Sequence, residues 1–432
     1  MSEAETGRPE AEGAGVPTWP RLRQILGPGL VTGAADDDPS GIATYSQAGA
    51  QFSYGIGWTM LIGYPLMCAI QQISAEIGRV TGLGLAGNLR RFMPRGTLGV
   101  IVALLLLANT INIGADLGAM AASLRLLVPV PMPVGIAGFA IVSVLLEIYV
   151  RYARYVAVLK WLTLSLFAYV ATVFVVHVPW GRVAGQVLLP HIQFNSGYFT
   201  VVVAVFGTTI SPYLFFWQAA EEVEDEREDP DAKPLLEAPE QARRELRRIR
   251  LDTYIGMAFS NLISLAIIFT TAATLNVHGI TNIQTSAQAA DALRPLAGEF
   301  AFTLFALGII GTGLLALPVL AGSAAYALGE AFGWPVGLAY RAERAKAFYG
   351  TITVAVLVGA LLNFFGLPPV KALFWSAVIN GLVAVPLMAV MVLLAGSPRI
   401  MGQFCIGPWQ KLFGWAGTAV MLFAGIGMFA TL

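Results

Sequence analysis

The sequence predicts an all-α polytopic membrane protein in which two five-helix units of opposite orientation, a 5+5 inverted repeat, are followed by an eleventh helix. Three observations predict it. Of 432 residues, 56% are hydrophobic and only 12% charged, whereas a soluble domain carries about 25% charge. Eleven apolar runs are long enough to cross a hydrocarbon core of about 30 Å. Two of them, the first and the sixth, are interrupted near their middles by polar sequence.

The runs fall at Ile25 to Ala50, Trp58 to Val80, Leu98 to Leu127, Val134 to Val150, Val156 to Val176, Tyr198 to Ala220, Thr253 to Leu275, Phe300 to Leu328, Tyr349 to Phe365, Ala372 to Leu394 and Phe413 to Thr431. Lys and Arg set their direction, because short cytoplasmic loops hold an excess of both. Arg21 and Arg23 precede span one, Arg79, Arg90, Arg91 and Arg95 separate spans two and three, and Arg151 and Arg154 separate four and five. Arg243, Arg244, Arg247, Arg248 and Arg250 precede span seven; Arg341, Arg344 and Lys346 follow span eight, and Arg399 and Lys411 follow span ten. The alternate loops hold only Arg182 and Arg294, with Lys371 and Arg125 at their edges. The expected placement is multi-pass in the cell membrane, N-terminus cytoplasmic and C-terminus external.

Four segments follow: a disordered cytoplasmic tail over 1–23, a first repeat over 24–180, a second over 195–395, and a linker with the accessory eleventh helix over 396–432. The tail has no apolar core, so it is neither signal peptide nor span. The loop Glu221 to Arg250 opens acidic and ends basic, and reads as a solvated linker leading to a short amphipathic helix. Equal totals of acidic and basic residues, 26 each, give no sign of nucleic-acid binding. The two cysteines, Cys68 and Cys405, form no metal motif or disulfide framework. Gly82 to Gly87 spells GxGxxG but follows a membrane helix rather than a strand, so the dinucleotide reading is discarded. With no P-loop and no nucleophile elbow, the chain does not read as an enzyme. No cofactor and no obligatory protein partner are expected.

The interruptions carry the chemistry. One is Asp36-Asp37-Asp38-Pro39-Ser40-Gly41, the other Thr208-Thr209-Ile210-Ser211-Pro212-Tyr213. At 1.5 Å per residue, Asp38 lies about 20 Å into span one and Ser211 about as deep in span six, entering from the opposite face. A carboxylate at the bilayer centre costs about 2.5–3.5 kcal/mol on insertion scales, which argues for function. Paired broken helices at matching positions of two repeats mark a transporter whose site lies at the midplane.

Asp38 is the first candidate ligand, since Pro39 disfavours helical geometry there and frees nearby carbonyls. Asp36 and Asp37 are either further ligands or caps and vestibule residues. Span six offers the Thr208 carbonyl and hydroxyl, the Thr209 hydroxyl and the Ser211 hydroxyl. Oxygen donors without imidazole or thiolate suit hard cations such as magnesium, calcium or manganese. Asp116 in span three is a second intramembrane acid, a ligand, relay or structural partner. Asn380 is a further candidate, with interhelical hydrogen bonding the plainer alternative for it as for Gln71 and Gln218. Glu76 and Arg79 are placed to pair, and Glu147 and Glu330 read as interfacial. The three histidines, His177, His191 and His278, fall in or beside outer loops.

Taken together, these residues resemble the NRAMP family of divalent metal transporters. In that family a Gly-Pro-Gly is followed after eight residues by Asp-Pro-Gly-Asn; here Gly27-Pro28-Gly29 is followed after eight by Asp38-Pro39-Ser40-Gly41. The family's sixth-span motif ends Met-Pro-His, where this chain has Ser211-Pro212-Tyr213, and its Asn-Ile-x-x-Asp is matched by Asn112 to Asp116. The resemblance implies a leucine-transporter-like fold, with Asp38 as metal ligand and the Thr208 carbonyl as a backbone ligand. It also exposes departures. The family's amide ligand is Gly41, its thioether Ser211, and the histidine associated with proton coupling Tyr213. Such a pattern resembles the NRAMP-related magnesium transporters, a divergent branch. Losing a sulfur ligand favours hard ions, and losing two side-chain ligands is expected to leave room for the waters magnesium keeps.

The expected function is uptake of partly hydrated magnesium, with manganese also passing, down the membrane potential by alternating access and without protons. The expected partners are that divalent cation and the lipid bilayer. Three alternatives stand beside it: ordinary proton-coupled manganese or iron uptake, a sodium-coupled organic-solute symporter, and a non-transporting metal sensor.

Overall fold

The computed structural model describes residues 32, 33, 35–150, 162, 164–338, 340 and 342–431, and every regular element among them is helical. The tail expected over 1–23 and the start of span one lie outside the described residues, as do 151–161 at the start of span five.

Apolar sequence becomes helix here because in hydrocarbon each N–H and C=O must find its partner within its own segment. Among the described residues eight helices are long and apolar enough to cross a membrane. They are span three (Arg95–Leu124), four (Met132–Tyr149), six, seven, eight, nine (Lys346–Leu362), ten (Pro369–Ala395) and eleven (Pro408–Ala430). Span two is the 24-residue helix Trp58–Thr81, made more polar by Gln71, Gln72, Glu76 and Arg79. Span five differs from expectation. Its segment Leu164–Val175 meets a second helix, Trp180–Leu188, at a bend of 115°, where the sequence reading had only loop.

The two interruptions are real and short. Helix Pro39–Phe52 restarts span one after Asp37 and Asp38, and helix Pro212–Glu228 restarts span six after Ile210 and Ser211 end helix Ser196–Thr209. In both, proline opens the new helix, where its missing N–H costs nothing.

Packing repeats with the halves exchanged. The half-helix after the first break lies on span seven, and the half-helix after the second lies on span two. Close backbone approach makes both contacts. Gly49 of span one abuts the Ile268 carbonyl of span seven, and Gly78 of span two abuts the Ala219 carbonyl of span six, so neither position has space for a Cβ. Spans three and four pair as spans eight and nine do, and three crosses eight at the centre. An inverted 5+5 repeat requires this exchange. Large apolar side chains such as Val100, Leu107, Ile141 and Phe423 stay exposed on the outside, a lipid-facing surface rather than a soluble one.

At the arginine-rich end the expected loop is mostly helix. Glu221 to Glu228 continue the span-six helix, and the basic stretch forms the first turns of span seven, Ala242–Thr271. The connection between them is strapped to span two, Leu235 and Leu236 N–H donating to the Arg79 and Val80 carbonyls. Arg79 does not pair with Glu76. It pairs with Glu226 at 2.9 Å and Glu245 at 3.7 Å, while Glu76 accepts from Gln72 and Gln410. Arg248 joins the same cluster through Glu222 and Glu245. Glu147 lies near the end of span four, as expected, but is not exposed. It is buried in span four and accepts a hydrogen bond from Ser143.

Candidate metal site

Asp38 is the residue between the two halves of span one, with extended backbone (φ −67°, ψ 170°). Oδ1 accepts from the Gly41 N–H at 2.7 Å and the Ser40 hydroxyl at 2.8 Å, so the carboxylate caps the helix that follows. Oδ2 accepts from Asn112 Nδ2 at 2.9 Å and from the Tyr213 hydroxyl at 3.3 Å. The Tyr213 hydroxyl also reaches the Ala35 carbonyl at 3.1 Å, so one hydrogen serves two acceptors. All four partners are uncharged, and Asp38 is 1% exposed.

The three aspartates part company. Asp36 Oδ2 accepts from Ser260 at 2.5 Å, and Asp37 Oδ1 accepts from Ser260 at 3.2 Å and Ser264 at 3.3 Å. Both are thus turned to span seven, while Asp38 faces spans three and six. Asp36 Oδ1 has no partner among the described residues.

Span six meets this set at Thr208. A Cβ on Gly41 would stand 3.1 Å from Thr208 Oγ1 and 3.3 Å from the Asp36 carbonyl. Glycine therefore lets the two breaks touch, and the space expected from the absent amide is closed in this conformation. Ser211 turns back on its own helix, donating to the Thr208 carbonyl at 2.7 Å and the Gly207 carbonyl at 3.0 Å. Its hydrogen is spent on carbonyls that the break exposes; its lone pairs and one lone pair of the Thr208 carbonyl remain for a ligand.

Asp116 and Asn380 are buried, and among the described residues neither Asp116 oxygen nor either Asn380 amide atom has a partner. Asp116 lies one turn beyond Asn112, on the same face of span three. Asn380 precedes Gly381, which packs against Gly207 just before the span-six break. Buried orphan oxygens carry the full cost of desolvation, and water or an ion is the usual reason for their persistence. Gln71 and Gln218 act as the plainer reading has it. Gln71 donates to the Leu214 carbonyl at 2.9 Å, and Gln218 Oε1 accepts from Thr32.

Sequence reasoning missed Asn112, Ser40, Ser260 and Ser264 as partners of the acids. Asn112 was the most findable, since its spacing from Asp116 sets both on one helical face. Among the described residues no three His, Cys, Asp or Glu side chains gather as a metal cluster. Any ion at the breaks would meet one carboxylate with neutral oxygens, a donor set for hard cations that keep part of their water.

The profile described as "Nramp: Natural resistance-associated macrophage protein-like" matches residues 29–431. The chain belongs to the Nramp family. Its relatives include the divalent metal cation transporter MntH of Aeromonas hydrophila, 25% identical over 387 residues, covering 88% of this chain and 89% of the relative. The MntH of Mycobacterium tuberculosis is 27% identical over 386 residues, covering 88% and 84%. The fold matches the crystal structure of an Eremococcus coleocola manganese transporter with a TM-score of 0.73 at 18% identity, over 98% of this chain and 89% of that one. It also matches Mhp1, a nucleobase-cation-symport-1 family transporter, with a TM-score of 0.57 at 15% identity, over 94% and 92%. Membership of the family and these likenesses establish the all-helical, leucine-transporter-like membrane fold.

Proposed function

We propose that this Nramp-family chain is a secondary transporter of divalent metal cations whose preferred cargo is partly hydrated magnesium, with manganese also carried. One observation bears most of the weight: of the three buried aspartates at the break of span one, Asp38 alone turns to Ser40, Asn112 and Tyr213, three residues before Gly41, which touches Thr208 in span six. The relatives' names supply the divalent cargo. The preference for magnesium rests on Gly41, Ser211 and Tyr213, which stand where the family pattern has an amide, a thioether and an imidazole.

We further infer that the arginine-rich end faces the cytoplasm, so that a cation enters towards negative potential. A doubly charged ion then gains about 4.6 kcal/mol per 100 mV, enough to concentrate it without protons. The manganese reading keeps one observation of its own. Asp116 is buried with both oxygens unpartnered among the described residues, and its carboxylate is a place for a coupled proton.

The deciding experiment is flux into proteoliposomes under an inside-negative potential, with a magnesium dye and a pH dye read together. Magnesium uptake without acidification is the expected result. Manganese uptake with acidification and no magnesium signal would overturn it in favour of proton coupling, and the absence of any divalent flux would remove the metal reading.

A further inference from the structure

Two concavities that the transport site does not use meet at Trp334, just past the end of span eight. One, of about 440 Å³, has a mixed lining whose charged groups are Arg90 and Arg91 of the short helix Leu85–Phe92, Arg227 near the end of the span-six helix, and Glu330. The other, of about 360 Å³, is nearly all apolar and runs between Leu106 and Thr110 of span three, Leu328 of span eight, and Gly350, Val354 and Val358 of span nine. Trp334 lines both. The second lies on the lipid-facing surface, with Val354 and Val358 exposed.

The first concavity carries excess positive charge. Its one carboxylate is held back, Glu330 Oε2 accepting from the Gly87 N–H at 2.9 Å. Arg90 donates one hydrogen bond to the Glu330 carbonyl and Arg227 one to the Val336 carbonyl, while Arg91 rests over the Phe92 ring at 5.4 Å. Each guanidinium has five N–H donors, so most are unspent, and all three side chains are exposed. The apolar groove has the right length for a chain of lipid. From Lys346 to Val358 the helix rises about 18 Å, close to one leaflet of a core about 30 Å thick. At the junction Phe332 and Trp334 stack with centroids 5.0 Å apart, aromatic rings where headgroup meets hydrocarbon.

We propose that these adjacent concavities hold one anionic phospholipid, its phosphate among Arg90, Arg91 and Arg227 and one acyl chain in the groove. Basic pockets beside membrane helices select anionic headgroups in this way. A soluble phosphate would use the arginines and leave the groove without a role. That the two concavities share Trp334 as a wall, basic groups on one side and an apolar groove on the other, therefore favours the lipid.

Native mass spectrometry of the whole protein in detergent, titrated with phosphatidylglycerol and separately with phosphatidylcholine, tests this. One phosphatidylglycerol should bind in preference, and each arginine changed to glutamine should lower that preference about fivefold. Gly350 has no atom within 4 Å of where a Cβ would stand, so Gly350→Trp can fill the groove while leaving the fold intact. It should weaken the binding of both lipids. Equal affinity for the two lipids, or an undiminished preference in the Arg90→Gln/Arg91→Gln/Arg227→Gln protein, would overturn the proposal. Displacement of the lipid by excess glycerol 3-phosphate, with Gly350→Trp without effect, would overturn it in favour of a soluble phosphate site.

Discussion

Asp38 has two tasks, and they can be separated. It caps the second half of span one and it is the acid at the centre of the proposed site. Asp38→Ala removes both, costing about 0.5–2 kcal/mol for the lost cap. Asp38→Asn keeps a capping oxygen on the Gly41 N–H, and Asn112 can turn its amide to accept from the new NH2, since its own oxygen is unpartnered. The asparagine variant is therefore expected to melt within a few degrees of the parent and to carry no divalent cation, read by thermal unfolding and by dye flux in liposomes. Wild-type flux in Asp38→Asn would remove the site assignment. Asp38 itself was legible in the sequence, because an acid before proline inside an apolar run has few other uses. The division of labour among the three aspartates was not. It depends on Ser260 and Ser264, which lie more than two hundred residues away and become neighbours only when span seven packs on span one.

The two breaks show how little sequence is needed to interrupt a helix and how much of the result is tertiary. Asp38-Pro39 and Ser211-Pro212 place the interruptions within a residue or two, since proline opens one helix and constrains the residue before it. What the residues around each break do differs. Asp38 caps forward, whereas Ser211 reaches back to the Gly207 and Thr208 carbonyls. Ser211→Met removes that hydroxyl, bares the Thr208 carbonyl and adds a soft thioether. The ratio of manganese or cadmium to magnesium transport should rise by about tenfold, one ligand's worth at about 1.4 kcal/mol, measured by competition of the metals in the same vesicles. In this conformation Gly41 does not stand beside open space, for an element-scale reason. The absent side chain let the two half-helices close on each other instead.

At the scale of the molecule, spans two, six and seven are tied at the arginine-rich end by Arg79, Arg248, Glu222, Glu226 and Glu245. The sequence showed an acidic stretch and a basic stretch that reads as a short helix, but gave no sign that the span-six helix would run on through the acids and bring the two face to face. Glu222 is fully buried and relies on Arg248, which is 18% exposed. Arg248→Ala should therefore cost about 3 kcal/mol, the lower end for a broken buried pair, and a melting experiment that found no loss would show the cluster to be ornamental. The same scale governs how cargo reaches Asp38. Every lone pair of that carboxylate already has a donor, so an arriving ion finds no vacancy until one donor withdraws. Loading then contains a step whose speed is set by the protein and not by how much ion is present. In a rapid-mixing experiment the observed rate should climb with magnesium and then level off. The plateau should be higher in Tyr213→Phe, where the donor that is shared with Ala35 and held at the longest distance has been removed in advance.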